Sequence, residues 1–452
     1  MLFSPGFMTN KIIASDVQVF SCCLKYFKVK LIMTKYVFLL MLTSSIVMAA
    51  PEVRVSGFGT LGVVTTDSED FGYRADFSKP GGVFKNDINF AESTNLGMQF
   101  DIIATRDIDI VVQAVYRDQA ELNLDSVLNL AFVRYAPNPN WSFRLGRTAY
   151  DLFLLTEYRD IGYAYTWAHV PSEIYGVIPH RYLDGVDVTY SQPLGDLTFS
   201  AKLFYGQNKF AITAFSSPNA PLFRTDNIVG LALDFQSVNW DIAVNHTQLK
   251  FDSQALKPLI DGVTQLDALV PNFSAIWPNA VNFVNAADID NKKGTYTSVS
   301  GQYRFATVTV ISELAKINTD SLSVQGIESG YLSGIYHSNA HNFFVSIAFS
   351  QSEKFDLDDN SINLPALTQV PGAVELYRTS TFLLGFYNLN QKTVSVGWRW
   401  DFDENMSFKL QLDHTRIDEG GSTFWQPPVE NDATDNRTGH VNALFANLSF
   451  FF

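Results

Sequence analysis

Seven histidines are the side chains with which this sequence of 452 residues could build a general base. They are His169, His180, His246, His337, His341, His414 and His440. A hydrolase needs such a base close to a nucleophile, and none of the seven lies in a recognisable nucleophile motif. His337 and His341 flank a predicted turn, but no carboxylate or thiol accompanies them as a further metal ligand. We therefore predict no catalytic residue, no metal site and no cofactor.

Charged side chains in and around residues 148–185 are the second group with a possible chemical role. This stretch is too long and too aromatic for a solvated loop, and its carboxylates include Asp151, Glu157, Asp160 and Glu173. Four basic residues alternate with apolar neighbours in strand-like segments, namely Arg117, Arg144, Arg399 and Lys409. Opposite charges that face each other across a narrow space of low dielectric focus the electric field. We predict that the four form a basic wall facing the carboxylates; the alternative is that each only forms a salt bridge pinning the stretch.

The elements that must position these residues are strands, because strand-like segments recur from Glu52 onward. We predict sixteen of them, at 52–64, 93–105, 107–118, 126–136, 140–149, 182–192, 196–206, 226–237, 239–250, 294–305, 306–316, 327–338, 341–352, 391–402, 405–416 and 439–452. Short links rich in Pro, Gly, Asn and Asp alternate with long links. Short turns at one end and long loops at the other are the layout of a membrane barrel.

Two faces can be read within several strands, as both a soluble sandwich and a barrel would show. In residues 95–103, Leu96, Met98 and Phe100 alternate with Asn95 and Gln99. A sandwich would need a second layer, which no other segment supplies, whereas a barrel with a polar interior accounts for charges at mid-strand. We therefore predict an all-β fold, a transmembrane antiparallel β-barrel.

The strand number must be even for a closed antiparallel barrel whose two ends lie on the same side. Thr379–Leu389 is also apolar enough to be a strand, and we assign it to a loop to keep sixteen. Eighteen strands, with a further one within 251–293, is the alternative.

The first fifty residues have the pattern of a targeting segment rather than of a fold. Residues 36–50 form an apolar run after Lys30 and Lys35 and end in small residues before Pro51, as a cleaved signal peptide does. Because Met33 would give a conventional signal, we interpret 1–32 as an upstream start-site artefact, 33–50 as the signal peptide and 51–452 as the barrel. A retained anchor is the alternative. Both cysteines, Cys22 and Cys23, lie in the part that would be removed.

Composition narrows the classes of partner. The net charge is −14; residues 1–50 carry five Lys and one Asp, so the remainder has −18, which argues against a nucleic-acid partner. Mean hydropathy is +0.02, and no apolar run of about 18 residues follows residue 50, so helical spans are excluded there. Many carboxylates fall in predicted loops, where they would either bind divalent cations that bridge lipopolysaccharide or be solvated: Asp67, Glu69, Asp70, Asp356, Asp358, Asp359, Asp418, Glu419, Glu430, Asp432 and Asp435.

The last fourteen residues, GHVNALFANLSFFF, carry the most specific signal. Apolar residues stand at every second position and the chain ends on Phe452. This ending resembles that of Gram-negative outer-membrane β-barrels. The resemblance implies that Phe450 and Phe452 lie at the membrane interface and are recognised by the barrel-assembly machinery.

The stretch from Leu145 to Gly176, LGR…YRDIGYAYTWAHVPSEIYG, resembles the third loop of the Gram-negative porin superfamily. The acidic motif of general porins is missing, so their constriction cannot be transferred. The resemblance implies a trimeric porin whose third loop folds inward, and a channel for passive diffusion of small hydrophilic solutes and ions. A substrate-specific channel for a sugar or an anion, and a barrel-embedded hydrolase, are the alternatives.

Overall fold

The computed structural model describes residues 51–79, 81–119, 122–211, 222–321, 323–353, 362–384, 388–426 and 438–452. The predictions for residues 1–32 and for the signal peptide 33–50 therefore lie outside the described residues. The same holds for six of the loop carboxylates: Asp356, Asp358, Asp359, Glu430, Asp432 and Asp435.

Sixteen antiparallel strands form one closed barrel, which confirms the predicted fold class and strand number. They are β1 (Glu52–Thr66), β2 (Asn95–Ile103), β3 (Ile108–Arg117), β4 (Leu128–Asn138), β5 (Trp141–Ala149), β6 (Tyr182–Leu194), β7 (Leu197–Ala211), β8 (Leu222–Ser237), β9 (Trp240–Ser253), β10 (Lys292–Arg304), β11 (Val308–Thr319), β12 (Ile327–Ser338), β13 (His341–Ser352), β14 (Leu389–Asp403), β15 (Met406–Ser422) and β16 (Gly439–Phe451). Each pairs with its neighbours in sequence. The barrel closes where β16 pairs with β1, with Phe58 opposite Phe451 and Thr66 opposite Ala443.

The period of two along each strand separates an apolar outer face from a largely polar inner face. Each of the sixteen strands exposes at least one large apolar or aromatic side chain outward: Leu61, Met98, Tyr116, Val133, Leu145, Val186, Leu203, Leu231, Ile242, Val299, Leu314, Leu332, Ile347, Val396, Leu412 and Leu444. Water would penalise so continuous an apolar surface, whereas hydrocarbon accommodates it. The inward row instead makes hydrogen bonds such as the one from Gln113 to Gln99 at 2.9 Å.

Aromatic rings gather outside the barrel at the end with the short turns. Trp141 contacts Tyr190 with ring centroids 4.9 Å apart. The terminal Phe452 donates its backbone N–H to the Gly57 carbonyl at 2.9 Å. Its ring covers Gly57 so closely that a Cβ there would lie 2.2 Å from it, and Phe450 covers Gly59 in the same way. Both rings thus lie where an interfacial girdle would be, while their role in assembly stays a prediction.

The long links hold short helices. These are α1 (Leu124–Val127), α2 (Ser172–Tyr175), α3 (Lys257–Leu269), α4 (Phe273–Ile276), α5 (Ala280–Ala287), α6 (Leu364–Leu367) and α7 (Ala373–Leu384), with a 3₁₀ turn at Gly162–Ala164. Gly72–Tyr73 and Trp425–Gln426 pair as a small separate sheet. Since 251–293 contains α3 to α5, the alternative of eighteen strands is wrong. Within the described residues, no helix combines the length and apolarity that crossing a bilayer requires.

Two details differ from the predicted boundaries. Thr379–Leu389 begins inside α7, in agreement with its assignment to a loop, and only its last residue starts β14. Asp418 and Glu419 were predicted in a loop but belong to β15, which runs six residues beyond its predicted end. Its partner β14 starts at Leu389, two residues before its predicted start, and Leu389 pairs with Ser422 at the end of β15.

The loop helices pack into one apolar cluster with inward-facing residues at the long-loop end of the barrel. Phe273, Trp277 and Phe283 are each 1% exposed and share this cluster with Phe445 of β16. Trp277 contacts Phe283 with ring centroids 5.8 Å apart. Burial of these aromatic side chains, each providing a few kcal/mol, fixes the helices over the interior.

Candidate functional site

The segment between β5 and β6, residues 150–181, lies inside the barrel and is called the inner segment below. Trp167 is 1% exposed. Its indole N–H donates to Ser333 Oγ of β12 at 3.2 Å and to Ser346 Oγ of β13 at 3.1 Å. The inner segment therefore crosses the interior from its own strands to the opposite wall, as the predicted inward fold requires.

Lys409 and Arg399 hold the middle of the inner segment through its main chain. The Lys409 ammonium, on β15, donates to the carbonyls of Gly162, Tyr165 (2.6 Å) and Trp167 (2.9 Å). Arg399 Nη1, on β14, donates to the carbonyls of Tyr163 (2.7 Å) and Tyr165 (2.8 Å). An ammonium has three N–H donors, so three carbonyls satisfy it without any carboxylate.

Other wall strands bind the remaining length of the inner segment. Asn447 of β16 donates to the Ala168 carbonyl at 2.7 Å, and Ser298 of β10 donates to the Leu152 carbonyl at 2.9 Å. The Tyr175 hydroxyl donates to Glu313 of β11 at 2.9 Å. Apolar residues of the inner segment form a second buried cluster with wall residues, and include Leu152, Phe153, Leu155, Trp167, Ile174 and Tyr175. The segment thus contacts the wall on several sides of the barrel.

The predicted facing charges meet in two of the four cases. Arg117 pairs with Asp160 at 3.4 Å. Arg144 pairs with Glu157 at 3.3 Å and with Asp187 of β6 at 2.9 Å. In the described residues these are the contacts between the predicted basic wall and the predicted carboxylates. Their role as a pore constriction stays a prediction.

The other predicted site residues have different partners. Arg399 and Lys409 bind backbone carbonyls, as described above. Asp151 pairs with Lys202 of β7. Glu173 accepts hydrogen bonds from Gln391 at 2.6 Å and from Thr393. Four of the eight residues therefore anchor the inner segment by contacts that alternation alone did not specify.

Lys202 and Asp187 were missed, although the signal that identified Arg144 was available for both. Each stands between apolar neighbours in a strand, for instance Lys202 before Leu203 and Phe204. Arg147 points outward, as alternation with the exposed Leu145 requires. The pairing with β4 and β6 runs without a shift through Gly146, and Arg147 pairs with Asp184 at 2.7 Å on the outer face.

A buried group of charged side chains lies between the first loop, residues 67–94, and the inner segment. The sequence did not predict this group. It comprises Lys79, Arg117, Arg159 and Arg181 with Asp76, Glu92 and Asp160, and is called the charge cluster below. Arg181 pairs with both Asp76 and Asp160 at 3.3 Å. Lys79 lies 3.9 Å from Glu92. Loop charges are usually solvated, so the sequence offered no signal beyond the aromatic content of residues 71–84.

Burial and the nearby cations shift the pKa values of the carboxyls in the charge cluster in opposite directions. Burial opposes ionisation of Asp76, but Arg181, Lys79 and Arg159 outweigh it and lower its pKa to about 2. Burial dominates at Glu92 and raises its pKa to about 7. Burial, together with nearby Arg181, lowers the pKa of the Arg159 guanidinium to about 9. The cluster is therefore short of negative charge near neutral pH.

Nearer the short-turn end, the inner face is wet. The side chains of Arg134, Arg304 and Glu157 are 49%, 40% and 58% exposed, although all three point into the barrel. Arg134 pairs with Asp109 at 2.9 Å. Solvated charges inside and apolar residues outside are what a water-containing barrel in a membrane requires.

Metal or nucleophile chemistry finds little support in the geometry. Among the described residues, no three His, Cys, Asp or Glu side chains are placed to hold a metal ion. His337 faces inward and contacts Thr309 and Asn342 at 2.8 and 2.6 Å. His341 faces outward and accepts from the Trp398 indole at 3.2 Å. The two histidines of the predicted turn therefore cannot act together.

Comparison with known proteins identifies the architecture and nothing finer. No protein-family model matches the sequence, and no curated protein matches it. Among solved structures, OmpT of Vibrio cholerae, an outer membrane protein in trimer form, has a TM-score of 0.50 and 9% identity over 89% of this chain and 100% of that one. The outer membrane channel DcaP of Acinetobacter baumannii (TM-score 0.49, 11% identity, 89% and 98%) and an anion-selective porin from Comamonas acidovorans (0.49, 10%, 89% and 100%) are also similar. At such identity the likeness concerns the fold alone. The chain has the fold of a closed sixteen-stranded antiparallel β-barrel, similar to that of the outer membrane protein OmpT of Vibrio cholerae.

Proposed function

We propose that this protein is an outer-membrane channel through which small hydrophilic solutes and ions diffuse passively. One observation carries the proposal: a closed barrel of sixteen strands has an apolar exterior and solvated charges on its interior. A polar lumen inside a lipid-facing wall has an energetic reason only if water and solutes occupy it. A cleaved signal peptide would direct the protein to export, and the barrel-assembly machinery would insert it into the outer membrane.

Selectivity in this proposal comes from the wet side of the inner segment. Arg144 and Glu157 face each other there, and Glu157 is solvated while the Arg144 side chain is 12% exposed. Asp151 and Asp160 lie on the inner segment and Arg117 lies on the wall beside it. Their charges would add to the electric field in the channel. Arg399, Lys409 and Glu173 contribute by holding the segment in place.

A substrate-specific channel is the second candidate, and the filling of the barrel favours it. A general diffusion pore needs an open axis, whereas here Trp167, Tyr175 and Phe153 occupy the centre with wall residues. Aromatic side chains in a narrow passage suit a sugar, and arginines suit an anion. We propose no enzymatic activity, since none of the seven histidines lies in a recognisable nucleophile motif.

The proposed partners follow from the same surface. The apolar exterior would contact outer-membrane lipid, and the long-loop end would contact lipopolysaccharide. A homotrimer is proposed from the likeness to a protein solved in trimer form. Small hydrophilic solutes are the proposed cargo, and nucleic acid is not a partner.

Liposome swelling with sugars of graded size, combined with reversal potentials in a salt gradient, tests the proposal. We expect swelling that falls steeply with sugar size, and a reversal potential different from zero. Proteoliposomes that contain folded protein but pass neither sugar nor salt would contradict the channel function. Current that one solute blocks at low concentration would support the substrate-specific form.

A further inference from the structure

We propose that the charge cluster is a binding site for one small oxyanion of the phosphate type. This inference deepens the proposed function and rests on it for the claim that solutes enter the barrel. It assigns a ligand to residues of the first loop and of the inner segment, Asp76, Lys79, Arg159 and Arg181, for which the fold alone implies no role.

Charge balance is the first argument. Lys79, Arg117, Arg159 and Arg181 line a cavity of about 90 Å³ together with three carboxyls. The cations exceed the carboxyls that line the cavity by one, although Asp118 also lies close enough to act on Glu92, and protonation of Glu92 near neutral pH increases the excess. An uncompensated charge that is removed from bulk water is costly, and a bound anion removes the imbalance.

Unpartnered donors are the second argument. Arg159 is 7% exposed, and its Nη1 donates to the Ile178 carbonyl at 3.2 Å. Its Nε, like the Nε of Arg181, has no hydrogen-bond partner in the part of the chain that the structure describes. Buried donors are nearly always paired. A guanidinium presents its N–H groups as a planar fork, which matches two oxygens of a carboxylate or phosphate.

Unpartnered acceptors distinguish between oxyanions. The amide oxygens of Asn95 and Asn447 line the same cavity and have no hydrogen-bond partner among the described residues. Their amide nitrogens are already used, because they donate to the carbonyls of Asp160 and Ala168. A ligand that satisfies them must carry a hydroxyl donor. Phosphate at neutral pH carries one P–OH group as HPO₄²⁻ or two as H₂PO₄⁻ beside its charged oxygens, whereas sulfate has no donor.

Size and access agree with a ligand of this class. A volume of about 90 Å³ is near three times the share of one liquid water, roughly 30 Å³, which suits a ligand of the size of phosphate. A neighbouring cavity of about 240 Å³ shares Arg117 and Arg181 with the first and is also lined by His180 and Lys209. The two shared arginines would therefore receive an anion that enters through the larger cavity.

Calorimetric titration of the purified full-length protein in detergent with inorganic phosphate at pH 7 tests the site. We expect one phosphate per chain and at least tenfold weaker binding of sulfate. Arg159→Gln should weaken phosphate binding tenfold or more, because a charged hydrogen bond is lost. Arg134→Gln is the matched control, since it also removes an inward-facing guanidinium with its own carboxylate partner, and it should leave binding unchanged.

Three outcomes would overturn the proposal: no binding by the wild type, equal binding of sulfate, or equal losses in Arg159→Gln and Arg134→Gln. Should Arg159→Gln fail to fold, Arg181→Lys, which keeps the charge but loses the fork, replaces it with the same expectation. A protein that passes solutes but binds no phosphate would refute this site and leave the channel intact. Phosphate binding without any flux of solutes would support this site and contradict the channel function.

Discussion

Lys409→Met is the change that most directly tests how the inner segment is held. The substitution keeps the length of the side chain but removes three hydrogen bonds to the carbonyls of Gly162, Tyr165 and Trp167. A hydrogen bond from a charged donor contributes about 1.5–3 kcal/mol. Methionine carries no charge, so the variant avoids the cost of burying an ammonium. This offsets part of the free energy of the three hydrogen bonds and leaves a loss of roughly 3 kcal/mol. At about 1.4 kcal/mol per factor of ten, displaced positions of the segment become roughly 100-fold more populated.

Single-channel recording in planar bilayers measures this effect. We expect Lys409→Met to show a larger and noisier conductance than the wild type. Lys316→Met is the control, because Lys316 is exposed and pairs with Glu328 at 2.6 Å on the outer face. Identical conductance of Lys409→Met and the wild type, with both barrels folded, would refute the reasoning. It would mean that the contacts of Trp167 and Arg399 suffice.

Two further predictions concern charge. Arg144→Glu should shift the reversal potential in a KCl gradient toward the value for cation selectivity, because it reverses a charge on the solvated side of the inner segment. Arg147→Glu on the outer face should not shift it. Equal shifts in the two variants would exclude a selectivity role of Arg144. Burial lowers the pKa of His169 and His180 to about 3 each, from 6.5. Between these values the unfolded chain binds protons that the folded chain does not, so stability is full above pH 6.5 and falls as the pH drops toward 3. Glu92, with its pKa raised to about 7, acts oppositely between pH 7 and 4.5. Relative to the wild type, His180→Phe should therefore keep more of its thermal midpoint in detergent between pH 7 and pH 4, and an identical pH dependence of the two proteins would contradict this assignment.

The barrel was predictable because its signal is local. Alternation in a strand places every second side chain on one face, and this was enough to put Arg117 and Arg144 inside and Leu96 outside. The same alternation placed Lys409 and Arg399 inside, but it says nothing about which partner they find. Their partners are carbonyls of a segment more than two hundred residues away, and backbone acceptors leave no trace in residue types.

The helices and the charge cluster could not be read in the same way. The 257–287 helices gain their stability from packing with Phe445 and other rim residues, so local pattern was a weak guide. Asp76 and Lys79 are residues that a sequence places in solvent. They are buried because Arg181 and Glu92 are buried with them, and that coincidence exists only in three dimensions.

Quenching of tryptophan fluorescence by lipids brominated in their acyl chains tests the central claim, a lipid-facing wall that encloses the inner segment. Two variants would each keep one of the seven tryptophans, Trp400 on the outer face or Trp167 in the inner segment, with Phe at the other six. In bilayers of brominated lipid we predict strong quenching of Trp400 and almost none of Trp167. Quenching of Trp167 as strong as that of Trp400, or an unquenched Trp400, would contradict the account.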